Sequence, residues 1–408
     1  MTSATAGEAE TKPLPLEGVK VIDLTHHIAG PYCTKLLADR GADVIKIERP
    51  DGGDPARRMG PFYHDQPHLE GSGLFLQLNT NKRSLTLNLK SATGRKILLD
   101  LVRDADLLVE NFAPRVMPSL GLTYDVFEAI NPKLVMTSIS NFGQTGPYRD
   151  YKASEITLYA MGGTMHSTGI HDREPIKLGM TVEQFFCGTV AASGTMGAFL
   201  GSVFHGTGQH LDFSLFEFMT GSQDRALTML STWNYTGETQ PRHLEAAANL
   251  SPTLPAQDGY VQFFNLQRIW PRVCEMIGRP ELAHDDMLSR ANTPEAKDMV
   301  TALMLEWLYS RTKHEAMHAA QAAGIFCTAL NTIEEVFNDP HIMARGFLVD
   351  IDHPHTGPLK YAGAPFTMSE GGWKQGRAPL LGEHTKVILG DLGYSGEDVA
   401  RLRAQGAV

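Results

Sequence analysis

Val19-Lys-Val-Ile-Asp-Leu24 is followed by the loop His26-His-Ile-Ala-Gly30, by a run reaching about Arg40, and then by Asp43-Val-Ile-Lys-Ile-Glu48. The two apolar, β-branched stretches read as buried strands. Pro31 fits the first position of a helix, where its missing N–H costs nothing. Strand, helix and strand in so short a span specify a parallel βαβ unit with a right-handed crossover. The pattern recurs. Leu85 to Leu89 reads as a strand, Ser91 caps a helix to about Asp104, and Asp106 to Glu110 and Lys133 to Ser140 read as further strands. The expected fold is α/β, with a Rossmann-like doubly wound sheet. Ligands of such sheets bind at the carboxyl ends of the strands. Those ends are followed here by His26 to Pro31, Arg49 to Gly53, Asn111 to Pro114 and Asn141 to Gly146. No G-x-G-x-x-G accompanies them, so a dinucleotide is not indicated.

Outward from that sheet, Gly188 to Gly201 is rich in Gly, Ala and Ser, as in a tightly packed helix, and His210 to Leu215 reads as a strand. Trp233 to Pro255 loses periodicity and marks a crossing into a smaller α+β domain. There Asp258 to Phe264 alternates like a strand, and helices follow near Ile269 to Ile277 and Pro294 to Tyr309. Val300, Leu303, Met304, Trp307 and Leu308 recur at helical spacing, which points to core. The expected organisation is a disordered tail over 1–14, a large domain over 15–230, a linker and small domain over 231–338, and a return to the large domain over 339–408.

A chain of 408 residues with 42% hydrophobic and 20% charged residues is globular in composition. The formal charge of −10 argues against a nucleic-acid partner. Four scattered cysteines without a C-x-x-C pair argue against a disulfide framework and fit a reducing cytoplasm. No membrane association is expected, and His26-His27 and His353-Pro-His355 lack a third ligand at motif spacing, so no metal is expected. Cys187 reads as a small buried thiol rather than a nucleophile. Arg57-Arg58 reads equally as a phosphate clamp or a solvated turn.

Several stretches taken together resemble the family III CoA-transferases, the group that includes formyl-CoA transferase, carnitine CoA-transferase and α-methylacyl-CoA racemase. They are Pro15 to Leu24, Ala29-Gly-Pro31, Gly41 to Arg49, Asn81-Lys-Arg-Ser84, Val109-Glu-Asn-Phe112, Phe142 to Pro147, Gly206-Thr-Gly-Gln209, Asp339-Pro-His341 and Ala378 to His384. They run in order along nearly the whole chain. The resemblance implies an interlocked homodimer acting on acyl-CoA and carboxylic acid substrates, with coenzyme A as the acyl carrier. In that chemistry a carboxylate attacks the thioester, an anhydride forms, and CoA returns to give an enzyme thioester that passes CoA to an acceptor acid.

The family's nucleophile is an aspartate four residues before the glycine that opens the small-residue helix. Counting back from Gly188 gives Gln184, an amide with no anionic oxygen. Glu183, one step earlier, and Glu155, at a position commonly acidic in the family, are the carboxylates that can take over its role. The histidine of the racemase branch is Ser154 here, which argues against two-base racemisation. Arg49, Leu87 and Lys90 match positions that contact the nucleotide. Asn111, Phe112 and Lys152 match positions near the pantetheine, and His27 and Ile28 lie beside the thioester. Ile28 replaces the glutamine of formyl-CoA transferase, so a formyl or oxalyl group loses a hydrogen-bond partner. A family arginine is Ser119 here, with Arg115 nearby, and Ala246 to Ser251 stands where formyl-CoA transferase has a glycine-rich loop. The function implied is CoA transfer between small carboxylic acids. The other readings are a lyase, hydrolase or isomerase using Glu155 as base, and a non-catalytic CoA-binding protein.

Overall fold

The computed structural model describes residues 13–169, 172–221, 224–239, 251–284 and 293–408. The expected tail, apart from Pro13 and Leu14, and residues 246–250 of the alanine-rich stretch lie outside the described residues. Among the described residues, one compact unit is built from the chain up to 169, 175–239 and 346–408. A second is built from 172–174, 251–284 and 293–345.

The first unit holds a six-stranded sheet in the order β3-β2-β1-β4-β5-β6. The strands are β1 (Lys20–Asp23), β2 (Asp43–Glu48), β3 (Arg83–Thr86), β4 (Leu107–Glu110), β5 (Val135–Ser140) and β6 (Gln209–Ser214), and all neighbours pair in parallel. The order is that of a doubly wound sheet, with its switch point between β1 and β4. Strands β1, β2, β4 and β5 are buried over most of their length because both faces are covered, whereas the edge strand β6 is polar and largely exposed. Alternate residues divide between two cores: Ile22, Ile45 and Leu108 on one face, and Val21, Val44 and Leu107 on the other.

Helix α1 (Ala29–Ala38) begins two residues earlier than the sequence suggests, so Pro31 is its third residue. The shift is harmless because the first-turn N–H groups have no intrahelical partner. Asp23 fixes the entry by accepting from Thr25 N at 2.8 Å and Thr34 Oγ1 at 2.6 Å. Strand β3 ends at Thr86 rather than Leu89, which leaves Leu87 to Lys90 as a loop. Helix α2 (Gly73–Leu78), unforeseen from the sequence, precedes it. Ser91 caps α3 (Ala92–Val102) by accepting from Gly94 N.

Of the remaining helices, α4 is Val116–Ser119, α5 is Tyr124–Glu128, α6 is Glu155–Met161 and α7 is Val182–His205. The small residues of α7 let it lie against the first turn of α1. A Cβ on Gly188 would meet Ala29 O at 2.6 Å, so the spacing of the two helices requires glycine there. The opposite face of α7 leaves Phe186, Leu200, Val203 and Phe204 exposed.

The carboxyl-terminal part of the first unit adds a hairpin, Leu348–His353 with Gly357–Ala362, and two helices, Thr385–Asp391 and Gly396–Ala404. In the second unit a three-stranded antiparallel sheet, Thr253–Ala256, Gly259–Phe263 and Cys327–Ala329, packs on a core. That core contains Trp270, Val300, Met304, Trp307 and Leu308. The helical stripe from Val300 is core, as its spacing indicates.

Candidate active site

A buried network of charges underlies the strand ends. Lys82 Nζ pairs with Asp23 at 2.9 Å and also donates to Thr34 Oγ1 and Asn79 Oδ1. Lys46 pairs with Asp54 at 2.9 Å and donates to Thr25 O. Burial alone would raise the Asp23 pKa, but Lys46, Lys82 and two hydroxyls hold it far below the ordinary range. Lys82 is pulled down to about 8, because burial and repulsion from Lys46 outweigh the attraction of Asp23. The network shapes the first loop: Lys46 holds Thr25 O, and Asp54 Oδ1 accepts from His27 N at 3.1 Å. His27 takes a φ of 67°, a strained value for a residue with a Cβ. Asn111 then clamps this loop to the one after β4. It accepts from His26 N at 2.7 Å and donates to His26 O at 2.8 Å.

Arg57 is fully buried and paired with Glu48 and Glu70, while Arg58 donates to Gly52 O. Neither half of the expected choice describes Arg57. Glu48 and Glu70 claim its guanidinium as a structural strut.

Two cavities open at the strand ends. The first, about 500 Å³, is lined among others by His27, Ile28, Asn111, Phe112, Lys152, Glu155 and Gln184. The second, about 650 Å³, is lined by Arg49, Leu87, Lys90 and Ser119, again with Phe112. Residues of all four strand-end loops contribute. His26, on the wall of the second, packs edge-on against Phe112 with ring centroids 5.3 Å apart. Burial, aided by Lys46 and opposed by Asp54, lowers its pKa to about 4, so the ring is neutral at pH 7.

Glu155 opens α6 and is 6% exposed. Its Oε1 lies 3.1 Å from Lys177 Nζ, and its Oε2 accepts from Gln184 N, in the first turn of α7, at 3.4 Å. Glu183 is also buried, at 2% exposed, but is not among the residues lining either cavity. Successive helical residues point roughly 100° apart. Gln184 stands one turn before Gly188, where α7 meets α1, and Glu183 stands one turn before Cys187. Cys187 is buried, and burial together with Glu183 and Glu155 pushes its thiol well above the ordinary range, which makes it a poor nucleophile.

The first cavity also receives residues that no sequence pattern singled out. Arg149 and Asp150 lie on its wall, as does Ser140, and Arg149 Nε and Ser140 Oγ are buried without a hydrogen-bond partner among the described residues. Lys177 lies in an irregular segment without a spacing signal. Its ammonium donates to Glu155, to Leu178 O and to Met180 O. Among the described residues no three His, Cys, Asp or Glu side chains gather into a group that could hold a metal ion. The site therefore offers a carboxylate beside an amide and a helix N-terminus, cations for anionic groups, and a second cavity carrying Arg49 and Lys90.

Residues 16–385 match the model of CoA-transferase family III. Formyl-CoA:oxalate CoA-transferase of Streptomyces coelicolor is 33% identical over 413 residues, covering 96% of this chain and 99% of that protein. Succinate--glutarate CoA-transferase of Agrobacterium fabrum is 32% identical over 391 residues, covering 93% and 96%. The crystal structure of a CAIB/BAIF family protein from Brucella suis superposes with a TM-score of 0.81 at 30% identity, covering 93% of this chain and all of that one.

Proposed function

The chain belongs to CoA-transferase family III, and from that premise we propose that it moves CoA between small carboxylic acids with Glu155 as the reacting carboxylate. The observation that carries this reading is the position of Glu155 on the cavity wall beside Gln184, where Glu183 is absent. Asp150, the other acidic residue on that wall, is exposed.

In the first step a Glu155 oxygen attacks the thioester carbonyl carbon. The C–S bond breaks, and its electron pair leaves with CoA as the thiolate. The thiolate then attacks the Glu155 carbonyl carbon of the mixed anhydride and releases the donor acid as its carboxylate. The acceptor carboxylate attacks the resulting enzyme thioester, and the thiolate finally takes the acceptor acyl group, restoring Glu155. One thioester is consumed and one is formed, so no outside energy source is required. Oε2 is the oxygen better placed to attack, because its bond from Gln184 N is long and weak. The Gln184 carboxamide donates to the thioester oxygen as negative charge develops.

The nucleotide end of CoA is assigned to the second cavity, with Arg49 and Lys90 facing its phosphates. Replacing either by alanine is expected to weaken CoA binding roughly tenfold, and the loss should shrink at high salt. Calorimetry at two ionic strengths checks this, and unchanged affinity in both variants would remove the assignment.

The acid is read as a dicarboxylate with a hydrocarbon spacer. Ile28 lies beside the thioester, while Arg149, Lys152 and Arg115 offer charge to a second carboxylate. Succinate and glutarate, in the name of the Agrobacterium fabrum relative, are acids of this kind, whereas the oxalate named for the Streptomyces coelicolor relative has no spacer. Two copies are proposed to interlock as rings, supported by the exposed apolar face of α7, and light scattering should return twice the mass of one chain. A reducing cytoplasm as the site of action is supported by four buried thiols.

The testing experiment is hydroxylamine trapping of enzyme incubated with acyl-CoA. A modified Glu155 peptide supports the reading, and turnover without any adduct would refute it.

A further inference from the structure

Glu110 closes β4 and is 2% exposed. Its Oε2 accepts from the Phe112 N–H at 2.8 Å, and Phe112 is the residue shared by both cavities. Ser138, its register partner on β5, lies beside it and holds its pKa down. Ser138 Oγ lies 2.8 Å from Nε2 of His210 on β6, whose exposed ring stacks on Tyr124 of α5. A row of polar side chains on neighbouring strands, His210, Ser138 and Glu110, thus runs from solvent to a buried acid beneath the Asn111-Phe112 loop.

We propose that Glu110 is a positioning residue for the Asn111-Phe112 loop, and that the chain through Ser138 and His210 carries the proton that sets how firmly the loop is held.

The donors and acceptors of the chain allow two arrangements. With Glu110 ionised, Ser138 donates to it and His210 Nε2–H donates to Ser138. With Glu110 protonated, its O–H donates to Ser138, Ser138 donates to His210 Nε2, and the ring proton sits on Nδ1. Uptake of a proton at Nδ1, with one step along each bond, converts the first arrangement into the second. The net change is one proton on Glu110 and none on the ring. A carboxylate binds the Phe112 N–H roughly twice as strongly as a neutral acid does. Ionisation therefore tightens the loop.

Burial raises the Glu110 pKa to about 7, opposed by Ser138 and the Phe112 N–H and reinforced by Asp212 of β6. Asp212 and Asp125 of α5 act on His210, whose pKa burial lowers. On the β1 side, Asp23 is committed to Lys82.

This inference rests on the CoA reading only for what the loop grips. The Michaelis constant for acyl-CoA should fall roughly fivefold as pH rises from 6 to 8. Glu110→Gln, which keeps the geometry of the neutral acid, should hold the constant at its acid-side value throughout. His210→Gln should disturb the pH dependence without abolishing turnover. Nitrogen chemical shifts of His210 should show the tautomer changing near pH 7 in the unaltered protein and not in Glu110→Gln. A Glu110→Gln variant with an unaltered pH profile, or a His210 tautomer that ignores it, would overturn the proposal. A tautomer change that vanishes in Glu110→Gln supports the relay even if no CoA is transferred, which would count against the CoA reading alone.

Discussion

Glu155→Gln is expected to lower CoA transfer by roughly 10³-fold or more, about 4 kcal/mol of lost transition-state stabilisation. A carboxamide has the shape of the carboxylate but no anionic oxygen, so the anhydride cannot form. Because the neutral side chain can still face Lys177 and the Gln184 N–H, the fold and CoA binding should survive. The loss should therefore appear in kcat and not in the Michaelis constant. Glu155→Asp keeps the charge on a shorter arm and should retain part of the rate. The hydroxylamine adduct should disappear with Glu155→Gln and persist in Glu183→Gln and Asp150→Asn. An adduct lost in Glu183→Gln and kept in Glu155→Gln would transfer the role to Glu183 and show that the first turn of α7 rotates on loading.

Lys82→Met should destabilise the first unit by about 3–5 kcal/mol, the cost of leaving one partner of a buried ion pair unmatched. That is a large share of the 5–15 kcal/mol typical of a folded domain. Asp23 would keep its two hydroxyl donors and Lys46 but lose a contact at 2.9 Å from a fully buried ammonium. Adding Asp23→Asn should recover part of the loss, and a double-mutant cycle in urea measures the coupling. The pH dependence follows from Asp23, whose pKa is lower in the folded protein than in the unfolded chain. Its contribution is present above about pH 4 and is lost as pH falls toward the folded value. The Lys82→Met variant should therefore show a flatter acid limb of stability. Losses of the two single variants that simply add in the double variant would mean that the pair contributes nothing specific. Since the same network holds Thr25 and His27, the variant should also bind acyl-CoA less well at temperatures where it remains folded.

The parallel sheet was legible because its central strands, covered on both faces, read as largely apolar runs, while the edge strand β6 is polar and mostly exposed. The loops of the site were legible because they sit where such strands end. Element boundaries were less so. Pro31 is compatible with any place in a first helical turn, and Asp23, Thr25 and Thr34 decided where α1 begins. Leu85 to Leu89 has the pattern of a strand, yet β3 stops at Thr86 and the rest of the run forms cavity wall. Arg57 could not be read locally, because Glu48 and Glu70 lie 9 and 13 residues away and meet it only in the fold.

For Glu183 and Gln184 the sequence by itself determined the family and drew attention to both residues, but the helix expected from Gly188 in fact begins at Val182 and carries them in its first turn. Which of the two lines the cavity was decided only by the tertiary structure. Adjacent residues of a helix diverge by roughly 100°, and the rotation of α7 is set by its contact with α1 at Gly188. That contact presents Gln184 to the cavity and keeps Glu183 off its wall. It also brings Gln184 N to Glu155, 29 residues away, beside the ammonium of Lys177. Charge and chemical type are written in single residues, but the direction of a side chain belongs to the helix that carries it, and helix orientation is fixed by packing.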